Sequence, residues 1–325
     1  MTEPAKRRVW LDADPGFDDW LAMLMLAANP NVEWIGMSVV AGNAPLRHTL
    51  ANALAIRHFH GLQVPVFAGA DKALNVRPSD LPRITAQNIL GESGMRTEGQ
   101  PLPPSADPPN GADAVAAMLA AIHASPTPVT VVALGPMTNI ARALLLDPSV
   151  TERISEIVFM GGSTDRGNHT PAAEFNVFAD PEAADGVMKS GVALRMFGLN
   201  LCRQVLVTQK HVRAMQTWPG SQAKVLAGYL DAYQRIRSED GTSPMPLYDP
   251  VVTAWLAAPN LFEFVLAQVD VERVGEFTRG MTVCNFKPIA QAKPNVQVAM
   301  AAQGEQVVDF ILETLKAALH NPAQG

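Results

Sequence analysis

Between residues 9 and 198, short apolar runs alternate with segments of helical period, and this constrains the chain more than any other feature. Residues 9–14, 33–41, 64–68, 128–134, 157–160 and 193–198 read as strands. Residues 18–28, 46–60, 112–124, 137–146 and 181–190, which lie between them, read as helices. A helix that carries the chain from one strand to the next is a crossover, which joins parallel strands and covers both sheet faces. The expected class is α/β, with an open, mostly parallel, mixed sheet flanked by helices.

Two stretches interrupt the rhythm. Residues 70–111 lack clear periodicity and carry Pro101, Pro103, Pro104, Pro108 and Pro109. Because the sheet pattern resumes afterwards, this reads as a surface loop within a domain. Residues 220–250 are helical in pattern up to a Gly-Thr-Ser-Pro sequence at 241–244. The expectation is a single domain over 1–325 with a helical accessory segment at about 205–248. At 325 residues and 48% hydrophobic content, a sizeable core forms without disulfides.

Composition then removes whole classes of function. Lysine plus arginine number 25 and aspartate plus glutamate 31, a net charge of −6, with the basic residues scattered. That argues against a nucleic-acid partner and against a polybasic membrane surface. Aspartates interrupt the apolar run near the start, so a secretory signal or a span of about 20 residues is not expected. Cys202 and Cys284 are too few and too far apart for a disulfide scaffold or a cysteine-based zinc site. A soluble, cytoplasmic enzyme or binding protein is expected.

The chemistry concentrates in Asp12-Ala13-Asp14-Pro15-Gly16-Phe17-Asp18-Asp19, where a strand should end and a helix begin. Acids in a first helical turn complement the dipole by about 0.3–1 kcal/mol each, which accounts for Asp18 or Asp19. It does not account for Asp12 and Asp14, two apart on an otherwise apolar strand. Crowded carboxylates raise one another's pKa unless a cation intervenes, and no lysine or arginine lies nearby in sequence. A bound metal supplies that cation. An all-oxygen set suits calcium or magnesium over zinc, and a mixed set from distant loops suits calcium.

Further polar or glycine-flanked positions fall where strands end: Asn43, Leu134-Gly135, Met160-Gly161-Gly162 and Asn200. Ligands of open α/β sheets bind outside the carboxyl ends of the strands, so these positions share a rim with the acidic turn. A single asparagine after a strand is ordinarily a turn residue, and the recurrence is what carries weight. Asn168, Glu174 and Asn176 fall within one loop and together suit a clamp for sugar hydroxyls.

These residues make the sequence resemble the inosine–uridine-preferring nucleoside hydrolase family. The resemblance runs from about Arg8 to the last helix. It is carried by DADPGFDD at 12–19, VVAGNAPL at 39–46, ALGPMTNIA at 133–141 and MGGSTDRGNHTPAAEFNVFADPEAA at 160–184, with Asp249-Pro250 matching a late metal-binding aspartate. It implies a Rossmann-like nucleoside hydrolase fold and calcium-dependent hydrolysis of the N-glycosidic bond of a small-molecule ribonucleoside. Attack would come from a metal-bound water. Asp14, Asp19 and Asp249 would bind calcium through carboxylates and Leu134 through its carbonyl. Asp14 would take a proton from the attacking water, which Asn43 would help to orient. Asp18, Asn168, Glu174 and Asn176 would hold the ribose hydroxyls with help from Asp249, and Met160 would pack near the sugar. Asp12 would orient its neighbours. The family also implies a homo-oligomer, a dimer or tetramer.

Three positions depart from the family pattern. Tyr248 stands where a histidine often protonates the departing base, Leu90 replaces a second histidine, and Trp20 replaces a small residue. A phenol, with a pKa near ~10, stays neutral at pH 7 and has a proton to give, so Tyr248 is the candidate acid. Tyr229 and Tyr233 are i, i+4 on a helical pattern and could stack on a base, although helical aromatics more often pack. The missing histidines leave open a ribose- or nucleoside-binding protein without turnover. A haloacid-dehalogenase-like phosphatase also opens with Asp-x-Asp, but Pro15-Gly16 and the Asp18-Asp19 pair do not fit it.

Overall fold

The computed structural model describes residues 6–75, 92–97, 99–237, 243–287 and 293–320. Strands β1 (Arg7–Ala13), β2 (Val32–Val39), β3 (Val66–Ala68), β4 (Val129–Ala133), β5 (Ile154–Met160) and β6 (Leu194–Phe197) form the first part. They alternate with α1 (Phe17–Ala28), α2 (Leu46–His60), α3 (Ala114–Ala124), α4 (Thr138–Leu146), α5 (Phe175–Ala179) and α6 (Pro181–Met188). Then come α7 (Leu199–Cys202), β7 (Leu206–Val207), α8 (Gln209–Gln216), α9 (Ser221–Arg237), β8 (Met245–Pro246) and α10 (Asp249–Ala257). The last elements are β9 (Phe262–Val271), β10 (Thr282–Asn285), β11 (Val296–Ala302) and α11 (Gly304–His320).

The main sheet has the order β10-β9-β11-β6-β5-β4-β1-β2-β3. From β11 to β3 the strands are parallel, while β9 is antiparallel to β11 and β10 to β9. The sheet is therefore mixed, as expected, with its antiparallel pair at one edge. The expected alternation covers β1 to β6 closely; β9 to β11 lie outside it, because Glu263, Gln268 and Asp270 break the apolar run.

Strand patterning explains the layers. All five residues of β4 are buried, as parallel strands covered on both faces require. On β1, Val9, Leu11 and Ala13 join the core built with α1, α10 and α11, while Trp10 joins the core built with α3 and α4. Helix α1 is buried from Phe17 through Leu26, the behaviour of a helix apolar on all sides. It packs against α10 and α11, and so the first turn of α1 stands beside the first turn of α10.

In the 205–248 segment, α8 and α9 pack together and β7 pairs with β8, while residues 238–242 lie outside the described residues. Helix α9 also contacts α1 and α11. Of the 70–111 stretch expected as loop, residues 76–91, Leu90 included, and residue 98 lie outside the described residues as well. Its far end returns to the sheet where Gly111 bridges Phe67. Among the described residues, no helix is long and apolar enough to cross a membrane.

Gly36 of β2 faces Trp10 of β1, and a Cβ there would stand 2.3 Å from the indole ring. The ring is held further by its Nε1–H, which donates to Ser38 Oγ at 3.0 Å. Gly36→Ala should therefore destabilise the fold by about 1–3 kcal/mol, the usual cost of overpacking. Denaturant unfolding reads the loss, and Trp10→Phe in the same chain should recover part of it, since the two sites are coupled.

Candidate active site

Strand order reverses between β1 and β4, which are neighbours in the sheet although β2 and β3 intervene in the chain. At such a switch point the loops leaving the carboxyl ends diverge and open a crevice. The acidic turn leaves β1, Asn43 follows β2, Leu134 follows β4, and Met160 ends β5. The sequence-predicted residues thus meet on one rim.

Strand β1 stops at Ala13, so Asp12 and Asp14 keep separate partners. Asp12 accepts hydrogen bonds from Ser38 Oγ and from Asn139 Nδ2, and its Oδ2 has no partner among the described residues. Burial pushes Asp12 up to about 7 against those two hydrogen bonds. The Asp14 carboxylate fits between Gly42 and Gly135, where a Cβ would approach its oxygens to 2.1 Å and 2.6 Å. Asn43 clamps the turn: its N–H donates to Asp14 Oδ2, and its Nδ2 donates to the Asp14 carbonyl at 3.2 Å and to Asp19 Oδ2 at 3.1 Å.

Asp19 Oδ2 also accepts from the Gly16 N–H at 2.9 Å, which leaves its buried Oδ1 without a partner among the described residues. Oxygens of Asp18, Asp19 and Asp249 lie within 4.8 Å of one another, all three residues being buried. Burial, then repulsion from Asp18, raises Asp19 to about 7. Burial, then Asp19, raises Asp14 well above the carboxylate range; burial, then Asp18, Asp19 and Asp14, does the same to Asp249. The charges acting on these acids are chiefly those of neighbouring carboxylates. This donor set fits a hard cation. The positive ends of the α1 and α10 dipoles point at the same acids and relieve part of the repulsion.

The sugar-side candidates are held by one another. Glu174 caps α5 and accepts from the N–H groups of Asn176, Val177 and Gly162 at 2.8, 3.1 and 2.9 Å. Burial raises it to about 6 despite those bonds. Asn176 Nδ2 donates to the Leu134 carbonyl at 2.6 Å and to the Met160 carbonyl at 3.1 Å, which joins the ends of β4 and β5. Asn168 is exposed, and its Oδ1 accepts from the Phe175 N–H at 3.0 Å.

On the far side of Asp18 the tyrosines are packed. Tyr229 and Tyr233 lie against Phe17, with ring centroids at 6.5 and 5.1 Å, and Tyr229 also meets Trp20 edge-on. The Tyr229 hydroxyl accepts from the Leu102 N–H at 3.0 Å, whereas the Tyr233 hydroxyl donates to Asp18 Oδ2 at 3.4 Å. The face the two rings share is spent on the core, and Tyr233 offers the site its hydroxyl. Trp20 is fully buried and donates to His60 Nε2 at 2.9 Å; burial lowers His60 to about 4. Tyr248 is half-buried and immediately precedes Asp249 at the start of α10. Asn200 donates through Nδ2 to the Ala299 carbonyl at 2.9 Å, at the edge of β11.

Sequence reasoning passed over Ser38 and Asn139, the two residues that hold Asp12. A signal existed for Ser38, a lone hydroxyl in an apolar strand at the position paired with Asp12. For Asn139, the second residue of α4, sequence carries no comparable mark: its Oδ1 accepts from the Ala70 N–H at 2.8 Å, a contact made only by folding.

A model of the inosine-uridine preferring nucleoside hydrolase family matches residues 9–309. The pyrimidine-specific ribonucleoside hydrolase RihA of Citrobacter koseri is 35% identical over 310 residues, 94% of this chain and 97% of that protein. RihA of Salmonella arizonae is 36% identical over 309 residues, covering 94% and 97%. Among solved structures, the purine-preferring ribonucleoside hydrolase of Gardnerella vaginalis matches with a TM-score of 0.85 at 28% identity, covering 96% and 99%. The plant nucleoside hydrolase PpNRh1 matches at 0.84 and 28%, covering 97% and 100%.

Carboxylates held protonated by burial and repulsion have a pH signature. Asp12 and Asp19 rise from 3.8 to about 7 on folding. Their contribution to stability is complete below the unfolded value and is lost as pH rises through the native one. Asp19→Asn, which cannot ionise, should therefore gain in Tm over the wild type as pH rises from about 4 to about 7, both proteins being metal-stripped. Calorimetry across that window reads the difference; a constant difference would refute the assignment.

Proposed function

The chain belongs to the inosine-uridine preferring nucleoside hydrolase family and is a ribonucleoside hydrolase; we propose that its acidic rim works with a calcium ion and prefers pyrimidine ribonucleosides. The observation that supports calcium is the buried cluster of Asp18, Asp19 and Asp249, whose oxygens lie within 4.8 Å of one another. Asp19, with one oxygen unpartnered among the described residues, and Asp249 belong to the proposed donor set, and Asp14 and Leu134 join it on the family resemblance. Asp14, Asp19, Asp249 and the Leu134 carbonyl make up the oxygen donor set, irregular enough for an ion that accepts about six to eight mixed oxygens. Asp18 is kept for the sugar, because its Oδ2 already receives a hydroxyl proton from Tyr233, the kind of partner a ribose hydroxyl is. The base preference rests on the 35–36% identity to pyrimidine-specific relatives.

When bound, calcium supplies the positive charge that favours deprotonation of water at neutral pH. Asp14 accepts the proton, and its burial between Gly42 and Gly135 suits a base that must hold a proton near neutrality. Asn43 fixes Asp14 and Asp19 relative to each other, so the base cannot turn away from the crevice. Asp18, Asn168, Glu174 and Asn176 address the ribose hydroxyls, with Met160 beneath the sugar. Contacts that strengthen as the ribose flattens toward an oxocarbenium-like state raise rate as well as binding. Tyr248, next to Asp249, is the proton donor to the departing base.

The test of metal and sugar roles is a substrate panel on metal-stripped and calcium-reconstituted protein. Stripped protein should hydrolyse uridine at background rate and recover with calcium. Asp19→Asn should not recover. Uridine should exceed 2′-deoxyuridine by ~10⁴ or more in kcat/KM, since the deoxy sugar leaves buried groups unpaired. Full turnover after verified metal loss would overturn the calcium assignment, and equal use of the deoxynucleoside would overturn the ribose clamp.

The acid role of Tyr248 has its own test. Tyr248→Phe should lower uridine turnover by ~10²–10⁴ and spare p-nitrophenyl riboside, whose leaving group needs no proton. Equal rates on uridine would remove Tyr248 from that role.

A further inference from the structure

Asn52 lies on α2, outside the acidic turn and outside the sugar loop, yet its side chain ties two parts of the rim together. Its Nδ2 donates to the Pro15 carbonyl and to the Ser93 carbonyl, each at 2.8 Å. The Pro15 carbonyl belongs to the same peptide group as the Gly16 N–H, and that N–H donates to Asp19 Oδ2 at 2.9 Å. A peptide group is planar, so a bond that fixes its C=O also fixes the direction of its N–H. Hydrogen bonds in series polarise one another, so a donor on the carbonyl strengthens the N–H as a donor to the carboxylate.

We propose that Asn52 is a positioning residue for the metal site, aiming the Asp19 carboxylate through the Pro15–Gly16 peptide and holding the Ser93 turn against it. The inference rests on the reading of Asp19 as a metal ligand. Packing around the peptide supports it. A Cβ on Gly16 would stand 2.9 Å from Asn43 Nδ2 and 3.5 Å from the Gly94 carbonyl, so the turn at residues 92–95 and the Asn43 clamp both bear on this peptide. Asp19 Oδ2 then has two fixed donors, the Gly16 N–H and Asn43 Nδ2, and the buried Oδ1 is left without a partner among the described residues. Removing the amide at residue 52 frees the peptide to rotate and takes one of the two donors out of line. The residue touches neither substrate nor ion, so its effect falls on metal affinity.

The experiment titrates calcium into metal-stripped protein by calorimetry and follows the Gly16 amide by NMR. Asn52→Leu keeps the side-chain size and removes the donor. It should raise the calcium Kd about 10–100-fold, the usual effect of removing a partner behind a metal ligand, and shift the Gly16 proton upfield. A merely structural role would lower Tm and leave both readouts unchanged. If Asn52→Leu does not fold, Asn52→Ser carries the same comparison. A folded variant that binds calcium like the wild type, while Asp19→Asn loses it, overturns the proposal and leaves the metal site standing. If Asp19→Asn also binds calcium like the wild type, the metal reading itself falls. A weakened Kd with an unmoved Gly16 resonance overturns the route through the peptide.

Discussion

Repulsion among four buried aspartates, three in the turn after β1 and one at the start of α10, is the constraint around which the rest of this molecule is arranged. Burial raises the proton affinity of Asp14, Asp19 and Asp249, and repulsion from neighbouring carboxylates, Asp18 and Asp19 foremost, raises it further. The fold answers with partial positive charge from the backbone: the Gly16 N–H on Asp19, the Asn43 N–H on Asp14, and the N-termini of α1 and α10 aimed at the group. These are dipoles, and a helix end contributes only about half an elementary charge. They make ionisation less costly without balancing several carboxylates. A hard cation would complete the balance, and the carboxylates that burden the cation-free protein are the ones that would hold it.

That constraint also accounts for the topology being where it is. The acids come from residues 14–19 and from residue 249, and only a sheet whose strand order reverses between β1 and β4 leaves room for them to converge. The packing of α1 against α10 then does the joining, because both helices begin at the rim and both carry their acids in the first turn. The apolar residues 20–26 of α1 and 250–255 of α10 are thus part of the site's machinery. They hold two helix starts within a few ångströms through the burial of everything behind them.

What could be read in advance followed the range of the forces involved. The alternation of strands and helices, the acidic turn and the rim positions at Asn43, Leu134 and Met160 are local patterns, and sequence displays them. Ser38 and Asn139 act on Asp12 across strand pairings and a helix start, so their polarity gains meaning only once β1, β2 and β4 are side by side. Strands β9 and β10 carry mixed polar and apolar residues because they form the antiparallel edge of the sheet, partly exposed to solvent, and they lack the continuous apolar run of β4. The tyrosine pair is a third case: i, i+4 spacing told that Tyr229 and Tyr233 share a face, while the presence of Phe17 and Trp20 opposite them is a property of α1 packing on α9.

The contrast between an orthodox acidic rim and an unorthodox base side has a physical cause. A carboxylate removed from a cluster that binds a divalent ion changes an integer charge in a buried place, and the loss runs through every other ligand by Coulomb's law. The groups that address a departing base act one at a time, through a proton at one atom or through contact area. Differences in apolar contact in a pocket of that kind are worth about 1–3 kcal/mol per methylene, small enough for one aromatic to be exchanged for another. Trp20 and Tyr229 are anchored by elements the acidic turn does not use, His60 on α2 and the Leu102 N–H, while Tyr248 opens α10 beside Asp249. The aromatics that pack on α1 and α9 can therefore change while the acidic cluster stays fixed.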